Sequence, residues 1–232
     1  MWKCLQMKKN RKTLHKFHEP FSPAILETKV PSKFVDIINS IGDDVLNDDV
    51  KSTKWDWSHK LVGKVSKEIQ IPVTDNSDKE FLSKTMKQGC LDYLNHIIKR
   101  NRAYGWYRIA GRDTKPTLDN IHLTQSWIVG QYAGEYNPWH HHNGDFSAGI
   151  YLKVPDGMND EWEEEFQDHY PSNGLIEFMY GENQDMRTDN AKFKPEVGKF
   201  LVFPSYLRHF VYPFHCEGER RMMSFNAHMR IQ

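Results

Sequence analysis

Six short runs of aromatic and β-branched residues after residue 120 constrain the fold of this 232-residue chain more than any other feature. Gly, Pro, Asn and Asp separate the runs, which are, in order, "HLTQSWIVGQYA", "FSAGIYLKVP", "GLIEFMYG", "GKFLVFPS", "RHFVYPF" and "RRMMSFNAHMRI". Short runs of this composition, bounded by turn residues, predict strands. Six strands in about 110 residues predict a β-sandwich or a small barrel-like roll.

The first half of the chain has the spacing of helices. In "PSKFVDIINSIGDDVL" and "DKEFLSKTMKQGCLDYLNHIIKR", apolar residues recur at helical intervals, which predicts two amphipathic helices that pack on another element. The segment between them, "KSTKWDWSHKLVGKVSKEIQIP", has no clear pattern and receives no assignment. We therefore predict one domain over residues 1–232, mainly β with flanking helices, in which residues 1–119 are a mostly helical support and residues 120–232 form the β core.

Composition excludes some classes of protein. Lys+Arg and Asp+Glu both number 31, so the formal charge is zero and no nucleic-acid or membrane partner is indicated. No run approaches the roughly 20 apolar residues of a membrane-spanning helix. The three cysteines form no CxxC pair and indicate a reduced compartment, such as the cytoplasm. The first 20 residues are basic, lack the apolar run of a signal peptide, and are expected to form a solvated tail.

Three consecutive histidines, in "NPWHHHNGDFSAGIYLKVP", precede a run that predicts a buried strand. If the chain is extended here, His140 and His142 share one face and His141 points away, so two imidazoles can reach one metal ion. His209, in "GKFLVFPSYLRHFVYPF", is the candidate third ligand because a hairpin can return it across a sandwich. The alternatives are a solvated histidine-rich turn for the first pair and a strand-capping or backbone-bonded role for His209.

An arginine on the last predicted strand, "GERRMMSFNAHM", is the candidate anion-binding group. Strand alternation places Arg220 on the face that also carries Ser224 and Asn226, while Arg221 faces the other side. An inward arginine needs an anion, and its planar fork suits a carboxylate. A salt bridge to one of the chain's own acids is the alternative.

Together, "GQYAGEYNPWHHHNGDFSAGIYLKVP", "VGKFLVFPSYLRHFVYPF" and "ERRMMSFN" resemble the Fe(II)- and 2-oxoglutarate-dependent dioxygenases. The resemblance covers roughly Gln125 to Met229 and is closest to the members from bacteria and phages. It implies a double-stranded β-helix, a jelly roll of the cupin kind. It also implies a metal site of two histidines and one carboxylate, with open positions for 2-oxoglutarate and O2.

Carried over residue by residue, the family motif gives His140 and His209 as metal ligands. The carboxylate position is occupied by His142, which departs from the family. Three readings stay open: His142 coordinates in its place, Asp145 swings in from the turn, or only two protein ligands remain. We expect His142.

The resemblance assigns Arg220 to the distal carboxylate of 2-oxoglutarate. Tyr132 and Tyr151 are phenols near the motif that can reach the same cosubstrate, although a core position explains them equally well. Ser224 can add a hydroxyl donor, but the family's spacing places that serine at residue 222, which is methionine. Asn226 is expected to orient a ligand, and no catalytic side chain beyond the metal ligands is expected.

The resemblance thus implies a hydroxylase that uses Fe(II), 2-oxoglutarate and O2 and releases succinate and CO2. The substrate, a small molecule or a protein side chain, is not identified by the sequence. A homodimer is the default assembly, and the expected location is the cytoplasm, or the host cytoplasm if a phage encodes the chain. The alternatives are a non-catalytic cupin-like metal-binding module, an all-histidine iron oxygenase that does not use 2-oxoglutarate, and a structural protein.

Overall fold

Two antiparallel β-sheets form the centre of the structure, a computed structural model that describes residues 15–18, 23–58, 63–71, 77–163, 172–183, 185 and 188–231. The seven-stranded sheet has the order β1-β2-β9-β6-β11-β4-β3, and the four-stranded sheet has the order β5-β10-β7-β8. The strands are β1 (Lys16–His18), β2 (Ile25–Lys29), β3 (Lys67–Gln70), β4 (Ile121–Gln131), β5 (Asn137–His140), β6 (Phe146–Lys153), β7 (Ile176–Met179), β8 (Asn190–Phe193), β9 (Lys199–Pro204), β10 (Arg208–Val211) and β11 (Arg220–Met229).

All six runs predicted as strands are strands: they form β4, β6, β7, β9, β10 and β11. β11 lies between β4 and β6 and pairs with both along its length. β6 is buried at every position from Phe146 to Leu152, as expected for a strand covered on both faces. The mainly β architecture with flanking helices is therefore as predicted.

Helices cover one face of the seven-stranded sheet. The helices that the structure describes are α1 (Ser32–Leu46), α2 (Asp49–Lys54), α3 (Lys79–Lys99), α4 (Tyr104–Ala110) and the short α5 (Asp160–Glu163), of which α1, α3 and α4 pack on this face. Pro31 precedes α1, and the Asp48 carboxylate accepts hydrogen bonds from two backbone amides of α2. Apolar side chains of α1, α3 and α4, including Phe34, Leu82 and Trp106, pack against side chains of the sheet such as Phe200 and Phe225. This apolar cluster covers the side of the sheet that faces away from the site.

The inner faces of the two sheets enclose a second, smaller apolar cluster. Its buried members are Ile25, Tyr151, Ile176, Phe178, Phe193, Leu201, Phe203, Leu207 and Val211. Polar side chains of β3, β4 and β11 continue the same inner face beyond this cluster, and there the two sheets leave a cavity.

The first 119 residues contribute strands as well as helices. β2 pairs with β9, and β3 pairs with β4 at one edge of the large sheet. The predicted solvated tail lies mostly outside the described residues, but Lys16–His18 forms strand β1 and pairs with β2. The boundary near residue 120 stays a prediction. Among the helices that the structure describes, none is long and apolar enough to span a membrane.

Candidate metal and cosubstrate site

Three histidines converge where β5 meets β10. His140 ends β5 and lies directly opposite His209 of β10, and His142 follows two residues later, where its backbone N–H donates to the Ser205 carbonyl. Each of the three rings offers a nitrogen within 4.8 Å of those of the other two. The ring centroids of His140 and His209 are 4.2 Å apart. This arrangement can hold one metal ion on a single face.

Backbone hydrogen bonds orient two of these rings. Nδ1 of His140 lies 2.7 Å from the Pro138 carbonyl, and Nδ1 of His209 lies 3.0 Å from the Leu207 carbonyl. Because a carbonyl only accepts, Nδ1 carries the hydrogen in both rings. Nε2 therefore has a free lone pair, which is the arrangement of a metal-binding histidine held by a second group.

Burial keeps the three imidazoles neutral. It lowers the pKa of His142 to about 3, with the charge of His140 adding to the effect. Burial also lowers the pKa of His140, and it lowers that of His209, which is 4% exposed, well below the usual value. Neutral rings can coordinate a cation without first losing a proton.

The structure does not bring Asp145 into this group. Its carboxylate accepts a hydrogen bond of 2.8 Å from the Met229 backbone N–H and lies 3.4 Å from Nδ1 of His228. His141 is exposed and lies at the rim of the cavity, as strand alternation predicts. Among the described residues, His142 is the third metal-ligand candidate beside His140 and His209.

A cavity of about 310 Å³ lies beside the triad and contains the predicted arginine. Arg220 is 1% exposed and faces inward. One of its terminal nitrogens donates to Oε1 of Gln131, and the other donates to the Tyr151 hydroxyl at 3.3 Å. In the described part of the chain no carboxylate forms an ion pair with Arg220, whereas Arg221 pairs with Asp43 and Glu219 on the opposite face of the strand.

Unsatisfied polar atoms show that this wall of the cavity fits a carboxylate. Nε of Arg220 and Nε2 of Gln131 are buried donors without a hydrogen-bond partner. Buried donors left unpaired are costly, and an anionic ligand with several acceptor oxygens would satisfy both. The donor set therefore fits a 2-oxoacid whose far carboxylate meets Arg220, and the neutral imidazoles fit a divalent iron.

The other predicted residues divide into those that reach the cavity and those that do not. Ser224 and Asn226 line it, and Oδ1 of Asn226 accepts from the Ser147 hydroxyl at 2.8 Å. Tyr151 reaches the site through Arg220, and burial raises the pKa of its phenol, which therefore stays protonated. Tyr132 is exposed and does not line the cavity.

Four further residues of the cavity were not predicted. Glu68 and Trp57 come from the segment without assignment, and Gln131 and Asn137 lie within the quoted motifs but received no role. The alternation in "KEIQIP" is the signal that was available for Glu68: two isoleucines point to one side, and Glu68 and Gln70 point to the other. Oε2 of Glu68 and Oδ1 of Asn137 are buried acceptors without partners.

Comparison with solved structures shows the same fold elsewhere. AviO1 from Streptomyces viridochromogenes Tue57 is 12% identical, with a TM-score of 0.51 over 88% of this chain and 88% of that one. The non-heme alpha ketoglutarate dependent carbocyclase SnoK from nogalamycin biosynthesis is 10% identical, with a TM-score of 0.53 over 89% and 81%. The epimerase SnoN from the same biosynthesis is 9% identical, with a TM-score of 0.53 over 87% and 74%. The predicted jelly roll is thereby confirmed.

Comparison with protein families finds a match for the segment that contains the candidate site. Residues 125–226 match the family described as "Putative 2OG-Fe(II) oxygenase", whereas no curated protein matches the chain. The matched segment contains the three histidines and Arg220, and the family's name specifies Fe(II) and 2-oxoglutarate, the predicted cofactors. This segment, which is less than half of the chain, is similar to the 2OG-Fe(II) oxygenases, a family of oxidoreductases.

Proposed function

We propose that this oxygenase hydroxylates a C–H bond of its substrate and couples that step to conversion of 2-oxoglutarate into succinate and CO2. The overall balance is one substrate, one O2 and one 2-oxoglutarate consumed, and one alcohol, one succinate and one CO2 formed. Fe(II) with 2-oxoglutarate would supply the oxidising chemistry. The protein's own groups bind, orient and desolvate the reactants.

One observation carries this proposal: a buried arginine without an ion-pair partner, among the described residues, shares a cavity with the triad. A guanidinium in such a place is stabilised by a bound anion, since burying an unpaired charge is expensive. His140, His142 and His209 would hold the metal, and Arg220 would hold the far carboxylate of the oxoacid. Tyr151 and Gln131 fix the guanidinium, so the oxoacid enters a site that needs little reorganisation.

The charges of the site also support the binding of 2-oxoglutarate beside the three histidines. Three neutral imidazoles leave the full double charge on Fe(II), whereas a site with one carboxylate ligand would leave a single positive charge. Fe(II) and Arg220 together would carry three positive charges, and the two carboxylates of 2-oxoglutarate would offset two of them. A cosubstrate with two negative charges therefore suits this all-histidine site.

The test compares two adjacent arginines. Arg220→Leu should leave Ni(II) affinity unchanged and weaken 2-oxoglutarate binding by at least about 30-fold, since breaking a buried charge pair costs about 2–5 kcal/mol. Arg221→Leu removes the same charge from the opposite face and should leave 2-oxoglutarate affinity unchanged. Titration calorimetry measures the Ni(II) affinity on the metal-free protein and the 2-oxoglutarate affinity on the nickel-loaded protein. Equal 2-oxoglutarate affinity in wild type and Arg220→Leu would refute the proposed role of Arg220.

A second candidate function follows from the departure at residue 142. An all-histidine iron site lacks the carboxylate ligand that the resemblance implies for 2-oxoglutarate-dependent enzymes, so an iron oxygenase that uses no 2-oxoacid is the second candidate. O2 uptake by the iron-loaded protein distinguishes the two candidates. Uptake that depends on added 2-oxoglutarate, with succinate formed, supports the first, and uptake without it supports the second.

A further inference from the structure

Glu68 is an acid that the proposed chemistry does not use. It is 5% exposed and is the one acidic side chain among the described residues that line the cavity. Its Oε2 atom is buried without a hydrogen-bond partner, and none of the ion pairs among the described residues involves it. A buried, unpartnered carboxyl is destabilising unless something that enters the cavity satisfies it.

The sheet places Glu68 apart from the 2-oxoglutarate groups. Glu68 of β3 lies opposite Val129 of β4, which lies opposite Met222 of β11. Arg220 is one inward-facing position further along β11, beside Gln131. Neighbouring strands are about 4.8 Å apart, so β3 is about 10 Å from β11. The cavity thus has unsatisfied hydrogen-bond donors at Arg220 and Gln131 and, on β3, an unsatisfied acceptor at Glu68.

Aromatic residues and a second unsatisfied acceptor line the same cavity as Glu68. The Trp57 backbone N–H donates to the Glu68 carbonyl at 2.9 Å, which ties the two residues together, and the side chains of Trp57 and Trp127 line the cavity. Oδ1 of Asn137 also lacks a partner there. Tryptophan faces attract cations, and carboxylate and amide oxygens accept hydrogen bonds from N–H groups.

The electrostatic field at Glu68 favours a positive ligand. Burial is the main cause that raises the pKa of Glu68 to about 8, and the negative charge of Asp56, on the segment that bridges to β3, contributes to the same shift. The other titratable groups of the cavity are Arg220 of β11 and the histidines of β5, β10 and the turn after β5. At neutral pH the empty site therefore holds a protonated acid beside a negative neighbour, and a cationic ligand would stabilise the ionised form.

We infer that Glu68 binds an ammonium or guanidinium group of the molecule that the proposed oxygenase oxidises, between Trp57 and Trp127. This assignment builds on the proposed function and adds a substrate class to it: organic cations, either free amines or single basic side chains. The cavity volume of about 310 Å³ is at the lower end of the roughly 300–1,000 Å³ range of small-molecule sites. Because 2-oxoglutarate would occupy part of the same cavity, the space beside Glu68 suits a small or slender cation.

Matched probes test the inference directly. Titration calorimetry on the Ni(II)- and 2-oxoglutarate-loaded protein compares n-butylguanidinium with neutral n-butylurea, which has nearly the same shape, and n-butylammonium with n-butanol. We expect each cation to bind at least tenfold more tightly than its neutral counterpart. Equal affinities, or no binding of either cation, would overturn the assignment. A lysine-containing tripeptide as a further probe distinguishes a side-chain substrate from a free amine.

Two variants assign the preference to Glu68. Glu68→Gln keeps the shape of the side chain and should remove the preference for cations, with 2-oxoglutarate affinity and melting temperature retained. Glu80→Gln on α3 changes an exposed acid by the same charge and should keep the preference. A cation preference that persists in Glu68→Gln assigns cation binding to another group and rejects our inference.

Proton release gives a measurement on the wild-type protein alone. A carboxyl with a pKa of about 8 carries roughly 0.9 proton at pH 7, so binding of n-butylguanidinium should release close to that amount. Calorimetry in two buffers of different ionisation enthalpy measures it, and no release would contradict the role of Glu68. The same titration on the metal-free protein needs no 2-oxoglutarate. A failure of the oxygenase proposal is therefore distinguishable from a failure of this one.

Discussion

Arg220 and Arg221 are adjacent on β11 but face opposite sides of the sheet, so their positive charges have different partners. Arg220 faces the cavity and contacts only neutral groups among the described residues, Gln131 and Tyr151. Arg221 faces outward, where Glu219 and Asp43 raise its pKa and tie β11 to α1. The first arginine is free to bind an anion, and the second stabilises the fold.

The sequence leaves the identity of the third metal ligand open between His142 and Asp145. The structure places His142 beside His140 and His209, which leads to a prediction. His142→Asn should lower metal affinity by more than about 100-fold, since even groups that only orient a ligand are worth about 10–100-fold. Asp145→Asn should retain wild-type affinity, because the Asp145 carboxylate bonds to the Met229 amide instead. Competition with a chromophoric chelator measures both. The reverse ranking would make Asp145 the ligand.

At the residue scale, the sequence was sufficient to predict the site residues that belong to a recognisable motif. His140, His142, His209 and Arg220 were readable because their order and spacing resemble a known family. Glu68 could not be predicted in this way, because it is a single acidic residue in a segment where the strand-like alternation extends over only about four residues. Its function depends on which strand β3 pairs with, and that pairing joins residues about 60 positions apart.

At the scale of elements, local pattern was sufficient for the long helices and for six strands of the β core. α1 and α3 have the predicted apolar faces, and each of the six runs forms a strand. The strands outside the predicted runs are β1, β2, β3, β5 and β8, which have three to five residues each and give too short an alternation to be recognised. The sheet order is likewise a matter of long-range pairing, such as β2 with β9.

A glycine in α3 sets the distance between that helix and the sheet. A side-chain carbon at Gly89 would overlap the Phe200 ring of β9, which is buried and packs on Phe225. Glycine to alanine in a helix usually gains about 0.5–1 kcal/mol. We predict that Gly89→Ala instead lowers the free energy of unfolding by about 1–3 kcal/mol, the usual cost of overpacking.

Chemical denaturation measures this change, and α4 offers a control. At Gly105 the added carbon would meet only the flexible end of Met229, at 3.2 Å. Gly105→Ala should therefore leave stability unchanged or raise it by up to about 1 kcal/mol. If both variants are equally stable, close packing at Gly89 does not limit the approach of α3.

At the scale of the whole molecule, the buried imidazoles link folding to pH. The pKa of His142 is about 3 in the folded protein, against about 6.5 in an unfolded chain. Between these values the unfolded state binds more protons than the folded state, so stability falls as pH falls from about 6.5 towards 3. His142 alone accounts for about 2 kcal/mol of that loss at pH 5.

We therefore predict that, in the metal-free protein, His142→Asn has a shallower decline of unfolding free energy between pH 7 and pH 5 than wild type. Urea denaturation with a chelator present measures the slope. His141→Asn, which alters an exposed ring next to the same site, should keep the wild-type slope. Identical slopes in wild type and His142→Asn would show that His142 does not couple folding to pH.

The edge position of β3 separates two parts of the candidate site. The histidines and Arg220 lie inside the segment that matches the family, residues 125–226, whereas Trp57 and Glu68 lie outside it. Glu68 is on β3, a strand with one neighbour in the sheet, and the Trp57 backbone N–H donates to the Glu68 carbonyl. Replacing this short stretch by another sequence of equal length would leave the iron and cosubstrate groups in place. Selectivity could then be redesigned independently of reactivity, which makes residues 55–70 the first target for engineering this scaffold towards new compounds.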